Sequence, residues 1–187
     1  MHFRPCLALL LPLSLAAQVK TFQADTTHTV LGFRAATTLF DVPGRFDRYK
    51  LDIVGDPGTL QGARVRLDID AASIDTANRI RDKHLRSEDF FDVPRFPKIT
   101  FTGTYVRREG DRVVVRGTLT MHGSTRDLEI PFRATQGVNG AGTPTWSYRA
   151  SLPLERLDYG LGAESVAAKI SLARTVDLDL LLVGSFN

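Results

Sequence analysis

The chain has 187 residues, of which 43% are hydrophobic and 24% are charged. A chain of this length can bury the core of one sizeable domain. Lys and Arg outnumber Asp and Glu by only 24 to 21, and no basic tract occurs, so nucleic acid is not an expected partner.

The first segment, Met1–Ala17, has the pattern of a cleavable secretory signal peptide. His2 and Arg4 form a short basic start, an apolar run follows to Leu15, and small residues end the segment. This apolar run is too short to span a bilayer. We therefore predict cleavage after Ala16 or Ala17, a mature domain of residues 18–187, and a periplasmic or secreted protein.

Cleavage would remove Cys6, the single cysteine of the chain. The exported protein would then contain no disulfide and no thiol nucleophile, and its fold would depend on packing and hydrogen bonding. The residues before Cys6 do not resemble a lipoprotein signal, so a lipid anchor is not expected.

The mature chain begins with strand-like runs that turn residues separate. Strands are predicted over Val19–Ala24, Val30–Ala36, Gly44–Val54 and Arg64–Ala71. In the last of these, Val65, Leu67, Ile69 and Ala71 alternate with charged residues. Such alternation indicates an antiparallel sheet with one dry and one solvated face.

The central stretch, Ser73–Phe101, departs from this rhythm. A short helical pattern includes Ala77, Ile80, His84 and Leu85, and two aromatic residues and two prolines follow it. One helix in an otherwise all-β chain is expected to cap or plug the sheet structure.

Strand patterns then resume and continue to the C-terminus. Further strands are predicted over 99–105, Val113–Met121, Thr125–Thr135, 146–154 and Val176–Val183, with a tight hairpin at His122-Gly123. About eight or nine strands with one apolar face must roll up or pack on a second sheet. The pattern does not distinguish a sandwich from a barrel, but closure removes exposed edges and eight strands can enclose one small ligand.

Catalytic motifs are not evident in this pattern. His28, His84 and His122 lack the close spacing of zinc ligands, so no metal site is predicted. No G-x-S-x-G nucleophile motif occurs. The helix carries many charges, which would form either a solvated face or a polar site in which Arg81, Asp82 and His84 hold a head group at a pocket mouth.

The central stretch resembles the YceI-like family of polyisoprenoid-binding, lipocalin-like exported bacterial proteins. The resemblance is close over Ile74–Thr76, Arg81–Ser87, Asp89–Phe91 and Phe96–Phe101, and weaker matches extend over nearly the whole mature chain. His122 stands where family members often have Asn, and the Gly-rich loop Asn139–Pro144 is peculiar to this chain.

The resemblance implies an all-β fold: a single antiparallel eight-stranded lipocalin-like barrel with one short helical segment that caps an end. It implies a lumen that holds an isoprenoid lipid or quinone without covalent attachment, and no cofactor. It also implies homodimers in some members, and transient contact with a membrane is expected of a lipid carrier.

The leading hypothesis is a non-enzymatic carrier or store of an apolar isoprenoid chain. Eleven residues are predicted to line its site: Phe33, Phe46, Leu85, Phe90, Phe91, Phe101, Tyr105, Leu119, Met121, Phe132 and Trp146.

Two alternatives stay open at this point. The first is a small lipid-modifying enzyme in which His84 acts as acid and base and Asp82 orients it, which requires His84 to face the cavity. The second is a ligand-free structural barrel, which an interior without a cavity of a few hundred Å³ would favour. For Arg81, Asp82 and His84, we expect a role in the fold rather than in ligand binding.

Overall fold

The computed structural model describes residues 18–187, so the predicted signal peptide lies outside the described residues. The fold consists mainly of β-strands: β1 Lys20–Ala24, β2 Val30–Thr37, β3 Asp41–Phe46, β4 Tyr49–Gly55, β5 Arg64–Asp70, β6 Ile74–Asp75, β7 Lys98–Glu109, β8 Arg112–Met121, β9 Ser124–Val138, β10 Pro144–Glu155 and β11 Leu172–Phe186. Two short helices, α1 Arg79–Leu85 and α2 Val166–Ser171, and two 3₁₀ turns, Ala71–Ser73 and Arg156–Tyr159, accompany them.

All strand pairs are antiparallel, and the sheet closes on itself. The order β1-β4-β5-β7-β8-β9-β10-β11 returns to β1 through the pairing of Phe22 with Phe186. Strands β2, β3 and β6 continue the wall beside β11. The predicted eight-stranded antiparallel barrel is therefore confirmed, and closure removes most of the unpaired edges that an open sheet would expose.

The wall has two unlike halves. In the continuous half, β7 to β11 are strands of 10 to 15 residues. In the interrupted half, β1 to β6, three wall strands are each broken in two, by the turn 25–29, the bend 47–48 and the 3₁₀ turn Ala71–Ser73. The predicted single strand Gly44–Val54 is accordingly two strands, β3 and β4.

The two ends of the barrel also differ. Loops 56–63, 110–111 and 139–143 lie at one end, which we call the loop end. At the other, capped end lie α1, α2, the 3₁₀ turn Arg156–Tyr159 and the tight hairpin at His122-Gly123. Both residues of that hairpin have positive φ, at 50° and 75°, as a two-residue turn between twisted strands requires.

Helix α1 lies inside the predicted central stretch, and Asn78 caps it by accepting hydrogen bonds from the backbone N–H groups of Ile80 and Arg81. Its apolar pattern is misleading, since Ile80 is 85% exposed. The expectation of a single helix is wrong, because α2 also lies at the capped end. Six residues of α2 are too few to give a helical period in the sequence.

Candidate lipid-binding interior and side groove

Two cavities among residues 18–187 lie in the barrel interior, and both have apolar walls. The central cavity measures about 60 Å³ and is lined by residues of β2, β4, β5, β7, β8, β9, β10 and β11 and of the loop 56–63. The capped-end cavity measures about 100 Å³. Alternating side chains of the antiparallel wall create this dry interior, as the strict alternation in β5 predicts: Val65 and Leu67 both line the central cavity.

Eight of the eleven predicted site residues line these cavities. Phe101 and Phe132 line the central cavity, and six others line the capped-end cavity: Phe33, Phe46, Leu85, Phe90, Phe91 and Met121. Leu119 and Trp146 are buried in the core but line neither cavity. Trp146 instead packs edge-on against Phe186, at 5.3 Å between ring centroids.

Tyr105 corrects the sequence prediction, because it is 50% exposed and lies on the outer surface. The cause is a β-bulge in β7. Gly103 pairs with Gly117 and Tyr105 pairs with Arg116, so Thr104 is an extra residue without a counterpart on β8. An extra residue reverses the alternation of facing sides, and Val106 therefore takes the inward position that the pattern assigned to Tyr105.

The predicted polar cluster divides into two parts with different surroundings. Asp82 is 5% exposed and accepts hydrogen bonds from the backbone N–H (2.9 Å) and the hydroxyl (2.5 Å) of Thr76. Arg81 donates from Nε to the same hydroxyl and from Nη2 to the Thr76 carbonyl, both at 2.7 Å. This network fastens α1 to the chain after β6, so both residues contact protein rather than a cavity.

His84 lies away from both cavities. Its side chain is 44% exposed, its Nε2 is 2.9 Å from Asp89 Oδ2, and its ring packs edge-on against Phe90. Asp82 is bonded to Thr76 and does not orient it. The enzyme alternative requires His84 to face a cavity, and the structure contradicts this position.

Two arginines outside the predicted site, Arg86 and Arg156, hold the capped end together. Arg86 donates from Nε to the Ala72 carbonyl and from Nη2 to the Ile74 carbonyl, at 2.8 and 2.7 Å. Arg156 is 5% exposed and donates to three backbone carbonyls, those of Leu161, Leu172 and Ala173. Burial lowers the pKa of the Arg156 guanidinium. The part of Arg156 that faces the capped-end cavity is apolar, so its charge serves the cap.

A groove of about 530 Å³ opens on the side of the barrel in the interrupted half, and we call it the side groove. Its lining residues are Thr26, Thr27, Thr29, Val30, Leu31, Arg45, Phe46, Asp47, Arg48 and Tyr49. It lies where β1 leaves β4: these strands pair only at Lys20 with Gly55 and Thr21 with Val54 in the described chain. Unlike the cavities, it has both polar and apolar walls.

Two buried tyrosine hydroxyls, those of Tyr49 and Tyr148, find no hydrogen-bond partner within residues 18–187. Burial raises the pKa of Tyr148 to about 12. Burial also raises the pKa of Tyr49, against a smaller opposing effect of Thr29. The Thr29 hydroxyl donates to the Val183 carbonyl and accepts from the Val183 N–H, and the Tyr49 hydroxyl makes no hydrogen bond of ordinary geometry to any group of residues 18–187.

Residues 18–187 contain no cluster of three or more His, Cys, Asp and Glu side chains placed to hold a metal ion. None of the helices in this range is long and apolar enough to cross a membrane.

These features define a closed antiparallel barrel with a dry interior and a helical cap at one end. The YceI-like domain model matches residues 22–183, and the chain belongs to the YceI-like family. UPF0312 proteins from Vibrio vulnificus and Shewanella baltica are each 29% identical to it, over 91% and 95% of this chain and over 93% and 92% of their own length.

Solved structures share the fold at lower sequence identity. BcnA from Burkholderia cenocepacia has a TM-score of 0.74 at 23% identity, covering 87% of this chain and 100% of its own. A polyisoprenoid binding domain from Saccharophagus degradans has a TM-score of 0.60 at 19% identity, covering 90% of this chain and 98% of its own. These neighbours share the closed-barrel fold of this chain.

Proposed function

We propose that this protein is an exported lipid-binding protein that holds a long apolar isoprenoid chain, as an isoprenoid quinone or polyprenyl lipid, for transport or storage. The observation that carries the proposal is the apolar surface of both interior cavities inside a closed wall. Each CH₂ group of a tail transferred from water into such an interior contributes about 0.8 kcal/mol. A tail can therefore bind tightly without polar contacts.

The cavity volumes limit how a tail can bind. At about 60 and 100 Å³, both cavities are smaller than the few hundred Å³ of an ordinary ligand pocket. Binding of four or five isoprene units therefore requires lining side chains, such as Met121 and Phe33, to rotate away. The small volumes are also the observation that favours the second candidate, a ligand-free structural barrel.

A purely binding role, without catalysis or a cofactor, is part of the proposal. The Saccharophagus neighbour is described as a polyisoprenoid binding domain, and this chain belongs to the YceI-like family. The exposed position of His84 beside Asp89 supports the same view.

Extraction of the purified protein under denaturing conditions, followed by mass spectrometry, tests the proposal. We expect an apolar isoprenoid lipid in the extract of the wild type. Val113→Phe, which adds a ring at the wall of the central cavity, should lower the amount of lipid. Val114→Phe is the matched control, because the next residue of β8 faces outward, and it should leave the amount unchanged.

Recovery of no apolar lipid, together with failure of the protein to bind any added isoprenoid, would contradict the proposal and favour the ligand-free barrel. Equal lipid recovery from Val113→Phe and Val114→Phe would contradict a tail in the central cavity.

Membrane contact through the capped end is a further part of the proposal. Leu39, Phe40 and Ile170 are 87%, 60% and 77% exposed. The backbone N–H of Thr38 donates to the Ser171 carbonyl at 3.0 Å, which places the β2–β3 hairpin tip beside α2. Protruding apolar side chains of this kind favour insertion into the boundary between head groups and acyl chains.

Flotation with phospholipid vesicles tests this contact. The double variant Leu39→Ser, Ile170→Ser should float less than the wild type, whereas the same change at Val138, an exposed residue near the loop end, should not. If the double variant instead converts a dimer into a monomer in light scattering, the patch is a contact between two copies and the membrane proposal is wrong.

Export is the last part of the proposal, and it depends on the residue pattern of Met1–Ala17. Mass measurement of the protein from a periplasmic or culture-medium fraction should give a chain that begins at residue 17 or 18. An uncleaved chain in the cytoplasm would contradict it.

A further inference from the structure

We propose that the side groove binds the head group of the lipid whose tail occupies the barrel interior, and that this head group is an uncharged hydrogen-bond acceptor such as a quinone. The inference rests on the proposed function, because a head-group site has meaning only where a tail is bound.

The first observation is that the side groove adjoins both interior cavities. Leu31 lines the groove and the central cavity, and Phe46 lines the groove and the capped-end cavity. A tail that passes between these two side chains reaches either cavity directly. The polar end of the same molecule then remains among the mixed walls of the groove.

The second observation is that the wall is weakly closed at this place. Strand β4 pairs with β5 over six residues, but it pairs with β1 only at Lys20–Gly55 and Thr21–Val54 in the described chain. Strands β10 and β11, in contrast, pair over ten residues. Local opening costs less where fewer hydrogen bonds and contacts must break, so the side groove is the part of the wall best suited to admit a tail.

The third observation is a polar group that needs a partner. Tyr49 lines the groove, and its hydroxyl is buried without a hydrogen-bond partner within residues 18–187. An unsatisfied buried hydroxyl is costly, and an acceptor oxygen on a ligand would remove that cost. The apolar cavities offer no comparable surface for a polar head group, which would lose its hydration there without compensation.

The charges of the groove favour an uncharged head group. Arg45 Nε is 2.7 Å from Asp47 Oδ1 and its Nη2 is 3.3 Å from Asp75 Oδ2. Arg48 donates from Nε and Nη2 to Asp70 Oδ2, at 2.9 and 2.7 Å. Each guanidinium is thus already paired with a carboxylate, and a phosphate would have to compete with these acids.

Three probes test the inference, and all of them carry the same tail of four isoprene units. They differ in the head group, which is a benzoquinone in the first, a hydrogen atom in the second (the hydrocarbon) and a monophosphate in the third. Dissociation constants are measured for the mature protein, stripped of co-purified lipid, by competition against one fluorescent polyene. One net hydrogen bond corresponds to an affinity change of about fivefold. We expect the wild type to prefer the quinone over the hydrocarbon by about fivefold, and to bind the phosphate no more tightly than the quinone.

The variant Tyr49→Phe should remove this preference and leave the affinity for the hydrocarbon unchanged. Tyr148→Phe is the matched control, because it removes the other unpartnered hydroxyl, which belongs to a residue of the central cavity. It should leave the preference intact.

Several outcomes would overturn the inference, and they differ from failure of the proposed function. If the hydrocarbon binds but Tyr49→Phe retains the quinone preference, the head group lies elsewhere. Loss of the preference in Tyr148→Phe alone would place it in the central cavity, and tighter binding of the phosphate would reject the uncharged class. If none of the probes binds the wild type, the proposed function itself is wrong and the head-group site falls with it.

Discussion

The continuous and interrupted halves of the barrel wall differ in what holds neighbouring strands together. In the continuous half, β7 to β11, hydrogen-bonded pairing runs along strands of 10 to 15 residues. In the interrupted half, strands of two to eight residues are joined by turns and bends, and the side groove lies among them. The difference is the basis for the proposal that a lipid tail enters through the interrupted half, while the continuous half contributes most of the long hydrogen-bonded pairing.

A pair of glycines allows the two halves to be compared by the same substitution. A Cβ atom at Gly117 in β8 would lie 2.2 Å from the Thr102 carbonyl oxygen, and one at Gly44 in β3 would lie 2.3 Å from the Phe33 ring. The Thr102 carbonyl is part of the paired backbone. The Phe33 ring borders the capped-end cavity and has space in which to move.

The largest expected effect therefore comes from Gly117→Ala. We expect it to lower the free energy of unfolding by about 3 kcal/mol or more, because the paired backbone of β7 must shift. Gly44→Ala should cost only about 1 kcal/mol, since a ring rotation relieves the contact. Urea unfolding of both variants measures this difference, and equal costs would contradict the distinction between the two halves.

The next effect concerns how α1 is fastened to the interrupted half. Asp82→Ala leaves the buried N–H and hydroxyl of Thr76 without their acceptor, and we expect a loss of about 3 kcal/mol. Lys83→Ala, on the exposed face of the same helix, should change stability by about 0.5 kcal/mol or less. Hydrogen exchange should show the loss of protection first in α1; a uniform loss across β7 to β11 would contradict a local role.

The sequence predicted the continuous half better than the interrupted half, for physical reasons. Long antiparallel strands with one dry face show an alternating pattern, and β8 and β10 lie close to their predicted ranges. The breaks at 47–48 and 71–73 interrupt strands without interrupting the apolar pattern on either side. The bulge at Thr104 inserts one residue that no local signal marks, and for this reason Tyr105 was assigned to the wrong face.

The candidate site was predictable in part. Alternation and the aromatic pair Phe90 and Phe91 indicated which side chains turn inward. The burial of Asp82, in contrast, depends on Thr76 folding back onto α1, which spacing alone does not encode. The side groove was missed because it results from two strands that diverge, and Tyr49 gives no sign in the sequence that its hydroxyl is buried without a partner.

A pH-dependent effect should appear in the continuous half at Tyr148 of β10. Its pKa is raised by burial from 10.0 to about 12, so the unfolded chain releases this proton at lower pH than the folded protein does. The contribution of the Tyr148 pKa shift to the free energy of unfolding is thus fully present below pH 10. It is lost as the pH rises towards 12, and the total loss is about 2–3 kcal/mol. Tyr148→Phe should abolish that part of the loss.

At neutral pH the same variant should gain about 1 kcal/mol, because it removes an unsatisfied buried hydroxyl. Urea unfolding of the wild type and the variant at pH 7, 10 and 11.5 measures both effects. If the difference between the two proteins stays constant across this range, Tyr148 does not titrate as a buried group.

The smallest expected effect concerns His84, an exposed residue of α1 at the edge of the interrupted half. His84→Ala removes an exposed pair with Asp89, so we expect about 0.5 kcal/mol or less in stability and no change in affinity for an isoprenoid probe. Leu85→Ala, one residue further along α1, alters the lining of the capped-end cavity and should change that affinity. The two variants thus compare an exposed residue of α1 with its neighbour that lines the capped-end cavity. If His84→Ala weakened binding of the probe more than Leu85→Ala does, the histidine would have to reach the bound lipid, and the cap would have to rearrange when a lipid binds.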